Sequence, residues 1–209
     1  MVLAAIGRVP NTDADWFRSN GLKLDERGYV TVDGYGRTNL DGVWALGDIT
    51  PGHALAHRAF EQGITIAEKI AGADPKPVID DTVPQVVFSF PEAASVGLTL
   101  DQAKAREDVV EPKETAYPML SNARMLMSGE GGSMTVVSGA FANNPDMQVV
   151  LGVHIVSPIA SDLIAEAEQL VGNRVPLADA ARRIHPHPTF SETLGEALLK
   201  ADGRPLHTR

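Results

Sequence analysis

The chain has 209 residues, is 44% hydrophobic, carries a formal net charge of −9 and contains no cysteine. That length and apolar content can bury a core for one or two domains. The acidic balance argues against nucleic acid, no apolar run reaches the length of a membrane span, no signal peptide precedes the first predicted strand, and the absent cysteines exclude a disulfide framework.

In chain order, Val2-Leu3-Ala4-Ala5-Ile6 reads as a buried strand. Tyr29-Val30-Thr31-Val32 reads as a short strand, and Val43-Trp44-Ala45-Leu46 as a second, buried one that ends at Gly47-Asp48. A Gly-Asp at a strand end is either a turn or a ligand position, because open α/β sheets bind beyond the carboxyl ends of their strands. A helix is predicted over residues 55–71, with Gly72 as its stop and Leu55, Ala59, Ile66 and Ile70 facing a sheet. Its first turn offers free N–H groups and a partial positive charge. Residues 1–80 therefore read as an incomplete α/β segment. Asp74-Pro75-Lys76-Pro77-Val78-Ile79-Asp80-Asp81 has the prolines and charges of an extended linker.

A second domain is predicted over residues 82–209. Val86-Val87-Phe88 is a strand, and Thr99-Leu100-Asp101-Gln102 is a capping box opening a short helix. Gly129-Glu130-Gly131-Gly132 lacks the spacing of a dinucleotide fingerprint and reads as a turn. Residues 134–142 and 147–156 are β-rich and form a hairpin around Asn143-Asn144-Pro145-Asp146. Leu163, Ile164, Ala167, Leu170 and Val171 have helical spacing, so a helix is predicted over residues 161–171, ended by Gly172. A last helix is predicted over residues 190–200. The fold class is α+β: an antiparallel sheet with helices on one side.

The most informative stretch is His185-Pro186-His187-Pro188-Thr189-Phe190-Ser191-Glu192. Its prolines stiffen the lead-in and push the helix start past Pro188, with Thr189 as the expected N-cap. Three readings stand on spacing alone. Glu192 can fold back on His187, fix its tautomer and make it a proton-transfer group. Thr189-Phe190-Ser191-Glu192 is also a capping box, in which the carboxylate only satisfies a backbone N–H. A His-x-His-x4-Glu metal site is the third, and no further ligand cluster accompanies it.

The segment is similar to the C-terminal active-site motif of dihydrolipoamide dehydrogenases, flavin-dependent disulfide oxidoreductases with a His-x-His-Pro-Thr-x-Ser-Glu pattern. Three further stretches resemble the same family in the same order. Ile6-Gly7-Arg8-Val9-Pro10-Asn11 looks like the segment leaving the NAD domain. Val43-Trp44-Ala45-Leu46-Gly47-Asp48 with Ala54-Leu55-Ala56-His57-Arg58-Ala59 looks like a flavin-contacting segment. Phe90-Pro91-Glu92-Ala93-Ala94-Ser95-Val96-Gly97-Leu98-Thr99 looks like the opening of the interface domain.

The resemblance implies a partial FAD-binding segment over residues 1–80, with the end of an NAD domain at 1–11, and an interface (dimerisation) domain over 82–209. It implies cofactor contacts at Gly7, Asp48, Ala54, Leu55, Ala56 and His57, with Asp48 accepting a hydrogen bond from the flavin ribityl chain. It implies His187 as the acid–base and Glu192 as its partner, and no metal. FAD and NAD would serve the parent enzyme, with none expected tightly bound to this piece. The partners implied are a second copy of the chain and the dihydrolipoamide of 2-oxo acid dehydrogenase complexes, in the cytoplasm. The redox cysteine pair and both glycine fingerprints of the family are missing here, so the chain is expected to be an inactive C-terminal portion of a longer enzyme. Two alternatives are a non-catalytic dimerisation module and the same half of a glutathione, mycothiol or mercuric reductase.

Overall fold

The computed structural model describes residues 1–208. Two compact units divide the chain, Met1–Asp80 and the residues from Asp81 onward.

Aspartate turns set the backbone path of the N-terminal unit. Asp25 Oδ1 accepts the N–H groups of Arg27 and Tyr29 at 2.8 and 2.9 Å, and Asp33 Oδ1 accepts those of Tyr35 and Arg37 at 2.8 and 2.9 Å. Each turn closes on a glycine of positive φ, Gly28 and Gly36, a conformation glycine adopts without a Cβ clash. The chain reverses too often for long ladders. Leu24 pairs with Val30 and Arg37 with Trp44 only as isolated bridges. The expected strands at 29–32 and 43–46 are therefore corrected to single bridges, and Val43 and Leu46 stand partly exposed.

The expected strand at 2–6 is absent as well. Residues 1–9 are exposed and irregular; a strand needs a neighbouring backbone to bond to, and none pairs with it among the described residues. Helix α1 (Asp15–Ser19) buries Phe17, on which Trp16 stacks at 3.7 Å. Helix α2 (Ala56–Ile70) ends through Ala71 into Gly72, as the glycine signal predicted. Its expected apolar face is only partly used: Ile66 is buried beside Gly36, whereas Ile70 is exposed because no sheet lies under that end.

The C-terminal unit is built on one five-stranded antiparallel sheet of order β1-β2-β5-β4-β3. Its strands are β1 (Gln85–Val87), β2 (Glu92–Gly97), β3 (Val109–Pro118), β4 (Ser133–Phe141) and β5 (Asn144–Ser157). The β4–β5 hairpin turns at residues 142–143, slightly earlier than the Asn-Asn-Pro-Asp signal suggested. Helix α3 (Leu100–Ala105) opens with the full capping box: Gln102 N–H donates to Thr99 Oγ1 at 3.2 Å, and Thr99 N–H to Gln102 Oε1 at 2.8 Å. Four more helices follow: α4 (Ala123–Ser128), α5 (Ala160–Gly172), α6 (Leu177–Ala180) and α7 (Glu192–Ala201).

Alternation along the strands, reset in β5 where its register with β4 shifts between the Val137–Gly152 and Ser138–Val150 pairs, supplies two cores, one on each face. Met134, Val136, Val153 and Ile155 point toward α5 and α7, where Leu163, Ile164, Ala167, Leu194 and Leu198 meet them. Val137, Val149 and Leu151 point to the other face and pack with Ala103 of α3. The expectation of helices on one side is thus corrected, since α3 covers the second face. Each fully buried Leu, Ile, Val or Met contributes about 1.5–3 kcal/mol relative to exposure. Gly97 (φ +79°) lets β2 cross β5 closely; a Cβ there would collide with the Leu151 carbonyl. The α5 face carrying Leu163–Leu170 is buried against its own sheet.

Candidate functional site

The backbone from His185 to Ser191 carries no helix or strand, and the first residue of α7 is Glu192. Ser191, not Thr189, is the N-cap, so the expected capping position shifts by two residues. Thr189 instead braces the lead-in. Its hydroxyl donates to the Pro186 carbonyl at 2.6 Å, and its N–H donates to Glu192 Oε2 at 2.7 Å. The other oxygen, Oε1, lies 2.8 Å from His187 Nδ1. One carboxylate therefore makes both contacts that the competing readings of this motif invoked.

The geometry assigns the imidazole tautomer. A carboxylate only accepts, so Nδ1 carries a hydrogen and donates it to Glu192, and in the neutral ring Nε2 keeps its lone pair. The His187 side chain is 71% exposed, whereas Glu192 is 20% exposed. Burial pushes the Glu192 carboxyl up; the Thr189 N–H, the His187 hydrogen bond and the charges of His187 and His185 outweigh it, and the net lies below the usual range. The positive end of α7 acts in the same direction.

His185 is a different kind of residue. Its side chain is 9% exposed, with Nε2 2.8 Å from Glu166 Oε1. The Glu166 bond raises its pKa against the opposing effect of burial. Gly195 of α7 makes room for it, since a Cβ there would lie 2.5 Å from His185 Nδ1.

A cavity of about 240 Å³ adjoins the pair, lined by Tyr117, His187, Glu192, Glu196 and His207 among others. His207 Nδ1 lies 2.8 Å from Glu196 Oε1, a second His–Glu pair. The Tyr117 hydroxyl is buried with no hydrogen-bond partner among the described residues, and burial followed by the charges of Glu196 and Glu192 pushes its pKa up to about 12. Sequence reasoning missed Tyr117, Asn122, Glu196 and His207. Glu196 alone had a local signal: it follows Glu192 by four residues on one helix face. Among the described residues no three His, Cys, Asp or Glu side chains gather as metal ligands.

In the N-terminal unit, Asp48 is exposed on a short 3-10 turn, Gly47–Ile49. Gly47 N–H donates to Gln62 Oε1 of α2 at 2.8 Å, tying that turn to the helix. Leu55 is the N-cap of α2, so Ala54, Leu55, Ala56 and His57 form its start. Below that start, Arg58 is buried, with Nε 2.6 Å from Asp80 Oδ1 and Nη2 donating to the Pro51 carbonyl at 2.7 Å. Its Nη1 is buried without a hydrogen-bond partner among the described residues. An exposed carboxylate and a helix N-terminus on one braced element fit one edge of a flavin: an acceptor for a hydroxyl, and N–H dipoles for an anionic ring. Gly7 (φ +113°) is exposed in the irregular leading segment, and a Cβ built there would meet nothing within 4 Å among the described residues.

Comparison with known proteins follows the same division. A family model described as pyridine nucleotide-disulphide oxidoreductase, dimerisation domain, matches residues 83–198, and one described as pyridine nucleotide-disulphide oxidoreductase matches residues 1–63. Dihydrolipoyl dehydrogenase of Cupriavidus necator is 41% identical over 99% of this chain, and that of Geobacillus stearothermophilus 39% over 99%. The chain spans 42% of the length of each of these two relatives. The crystal structure of LpdA from Mycobacterium tuberculosis superposes with a TM-score of 0.83 at 31% identity, covering 94% of this chain and 42% of that one. The HOCl-induced flavoprotein disulfide reductase RclA from Escherichia coli gives 0.78 at 25% identity, covering 93% and 43%.

Proposed function

The chain belongs to the pyridine nucleotide-disulphide oxidoreductase family, and we propose that it serves a dihydrolipoamide dehydrogenase in which His187, paired with Glu192, is the acid–base. The observation that carries this reading is the 2.8 Å contact between His187 Nδ1 and Glu192 Oε1 on a largely exposed imidazole side chain. Oxidation of a dithiol to a disulfide releases two electrons and two protons. Nε2 of His187 takes a thiol proton, so that the thiolate, the reactive species, forms. Glu192 stabilises the resulting imidazolium and keeps the ring oriented. The chain has no cysteine, so thiol–disulfide exchange itself falls to residues outside it.

FAD, when bound, carries the electron pair from the dithiol couple to NAD. Asp48 would accept a hydrogen bond from its hydroxyls, and Ala54, Leu55, Ala56 and His57 would offer the positive helix end to an anionic ring. Gly7, which the resemblance placed with these contacts, remains part of this proposal on sequence grounds alone. The match to a dimerisation domain supports a homodimer. Exposed Leu120, Leu126 and Met127 on and beside α4 form one apolar surface of that unit open to it, beside others such as Phe88, Phe90 and Ile184, since the α5 face is used internally. The partner substrate is the dihydrolipoamide of 2-oxo acid dehydrogenase complexes. We place the enzyme in the cytoplasm, where NAD turns over; among the described residues no helix is long and apolar enough to cross a membrane.

The test is substrate choice by the complete enzyme. NAD reduction with dihydrolipoamide is expected at a kcat/KM far above turnover with glutathione disulfide, mycothiol disulfide or mercuric ion. Faster turnover of any of those three overturns the assignment of substrate.

A further inference from the structure

One amide side chain links the catalytic lead-in to a distant part of the C-terminal unit. Asn122 is buried at the start of α4. Its Oδ1 accepts the N–H groups of Arg124 and Met125 at 2.9 and 3.1 Å, which caps the helix. Its Nδ2 donates to the carbonyl of Thr189 at 3.1 Å, across 67 residues of sequence. Both ends of the amide are therefore used, and only the Nδ2 end reaches the lead-in. The guanidinium of Arg124 adds a second tie, 5.4 Å from the centre of the Phe190 ring.

The backbone around His187 is held from both sides. The Thr189 hydroxyl fixes the Pro186 carbonyl ahead of it, and Asn122 fixes the Thr189 carbonyl behind it. No regular element does this work, because α7 begins only at Glu192. We propose that Asn122 is a positioning residue for the His187–Glu192 pair. Its amide holds Thr189 so that the Thr189 N–H and the imidazole reach the two oxygens of Glu192 together. The α4 cap and the acid–base geometry are thereby set by one side chain.

The two roles separate by substitution. Asn122→Ser keeps an N-cap acceptor but is too short to reach Thr189. Asn122→Gly costs a helix little at this position and also deletes the donor, so it serves if the serine variant folds poorly. The direct readout is carbon-13 titration of the Glu192 carboxyl in the 209-residue chain. The groups facing Glu192 are His187, His185, Tyr117, and Glu196 with His207, and Arg124 lies nearby on α4; all are retained in these variants. In either variant Glu192 is expected to titrate higher, toward an ordinary glutamate, while the thermal midpoint changes little. A Glu192 titration unchanged in both overturns the proposal.

The activity arm rests on the acid–base reading above. In the complete enzyme Asn122→Ser should lower kcat/KM for dihydrolipoamide by about tenfold to a hundredfold, as misplacement near 1 Å does. His187→Ala is measured beside it. Full activity in His187→Ala sinks the acid–base reading and leaves the Glu192 titration to decide on Asn122. An inactive His187→Ala with a fully active Asn122→Ser and an unshifted Glu192 sinks the positioning role alone.

Discussion

Glu192 carries two loads through one carboxylate, and each leaves a pH signature. Its folded pKa lies below the usual value. The stabilisation it gives is present above the unfolded pKa and lost as pH falls through the folded one. Glu192→Gln should therefore lower the thermal midpoint at about pH 7, and the penalty should shrink toward about pH 3. A penalty independent of pH would count against the ionised contact. His185 runs the other way. Its folded pKa is raised by Glu166, so that stabilisation is present below the unfolded pKa and lost as pH rises through the folded one. Glu166→Gln should cost more at about pH 6 than at about pH 9. Tyr117 gives a third test. Its buried hydroxyl has no partner among the described residues, so Tyr117→Phe should leave the midpoint unchanged or raise it, since removing an unsatisfied group relieves a desolvation penalty.

At the scale of elements, α7 is shaped by what passes beside it. Ala is a better helix former than Gly by about 1 kcal/mol. Gly195→Ala should nonetheless destabilise, by about 1–3 kcal/mol as overpacking does, because its Cβ would press on His185. A rise in stability on urea unfolding would show that His185 moves aside freely. The α5 and α4 faces make a paired prediction. Leu163→Ala should cost about 2–5 kcal/mol by opening a cavity in the core. Met127→Asp, on exposed α4, should leave the fold intact and shift a dimer toward monomer in light scattering. A stable dimer in that variant would move the interface elsewhere.

These elements also show why only part was legible beforehand. The periodicity of α5 and the capping box at Thr99 are local signals, and both predicted helices form. Strand β2, Glu92-Ala93-Ala94-Ser95-Val96-Gly97, has little β-branched character and is made a strand by pairing with β5. Strand β3 was hidden by Pro112 and by Glu111 at positive φ, an interruption in its ladder. The His187–Glu192 contact was readable because five residues and two prolines limit where the chain can go. Asn122, Tyr117 and His207 reach the same place only through tertiary packing, which no spacing announces.

For the whole molecule, the two units carry different parts of the proposed chemistry. In this proposal the N-terminal unit offers one edge of a flavin site. The purified 209-residue chain should therefore carry no stoichiometric flavin absorbance, because no fingerprint for the pyrophosphate is present in its sequence. A yellow protein with one flavin per chain would show that Asp48 and the α2 start suffice. The C-terminal unit holds the proposed proton-transfer pair, and the account turns on which histidine works. The deciding measurement is kcat/KM for dihydrolipoamide in the complete enzyme, with His187→Ala set against His185→Ala. His187→Ala should lose about a hundredfold or more with its flavin spectrum unchanged, while His185→Ala loses much less. A larger loss in His185→Ala would contradict the account.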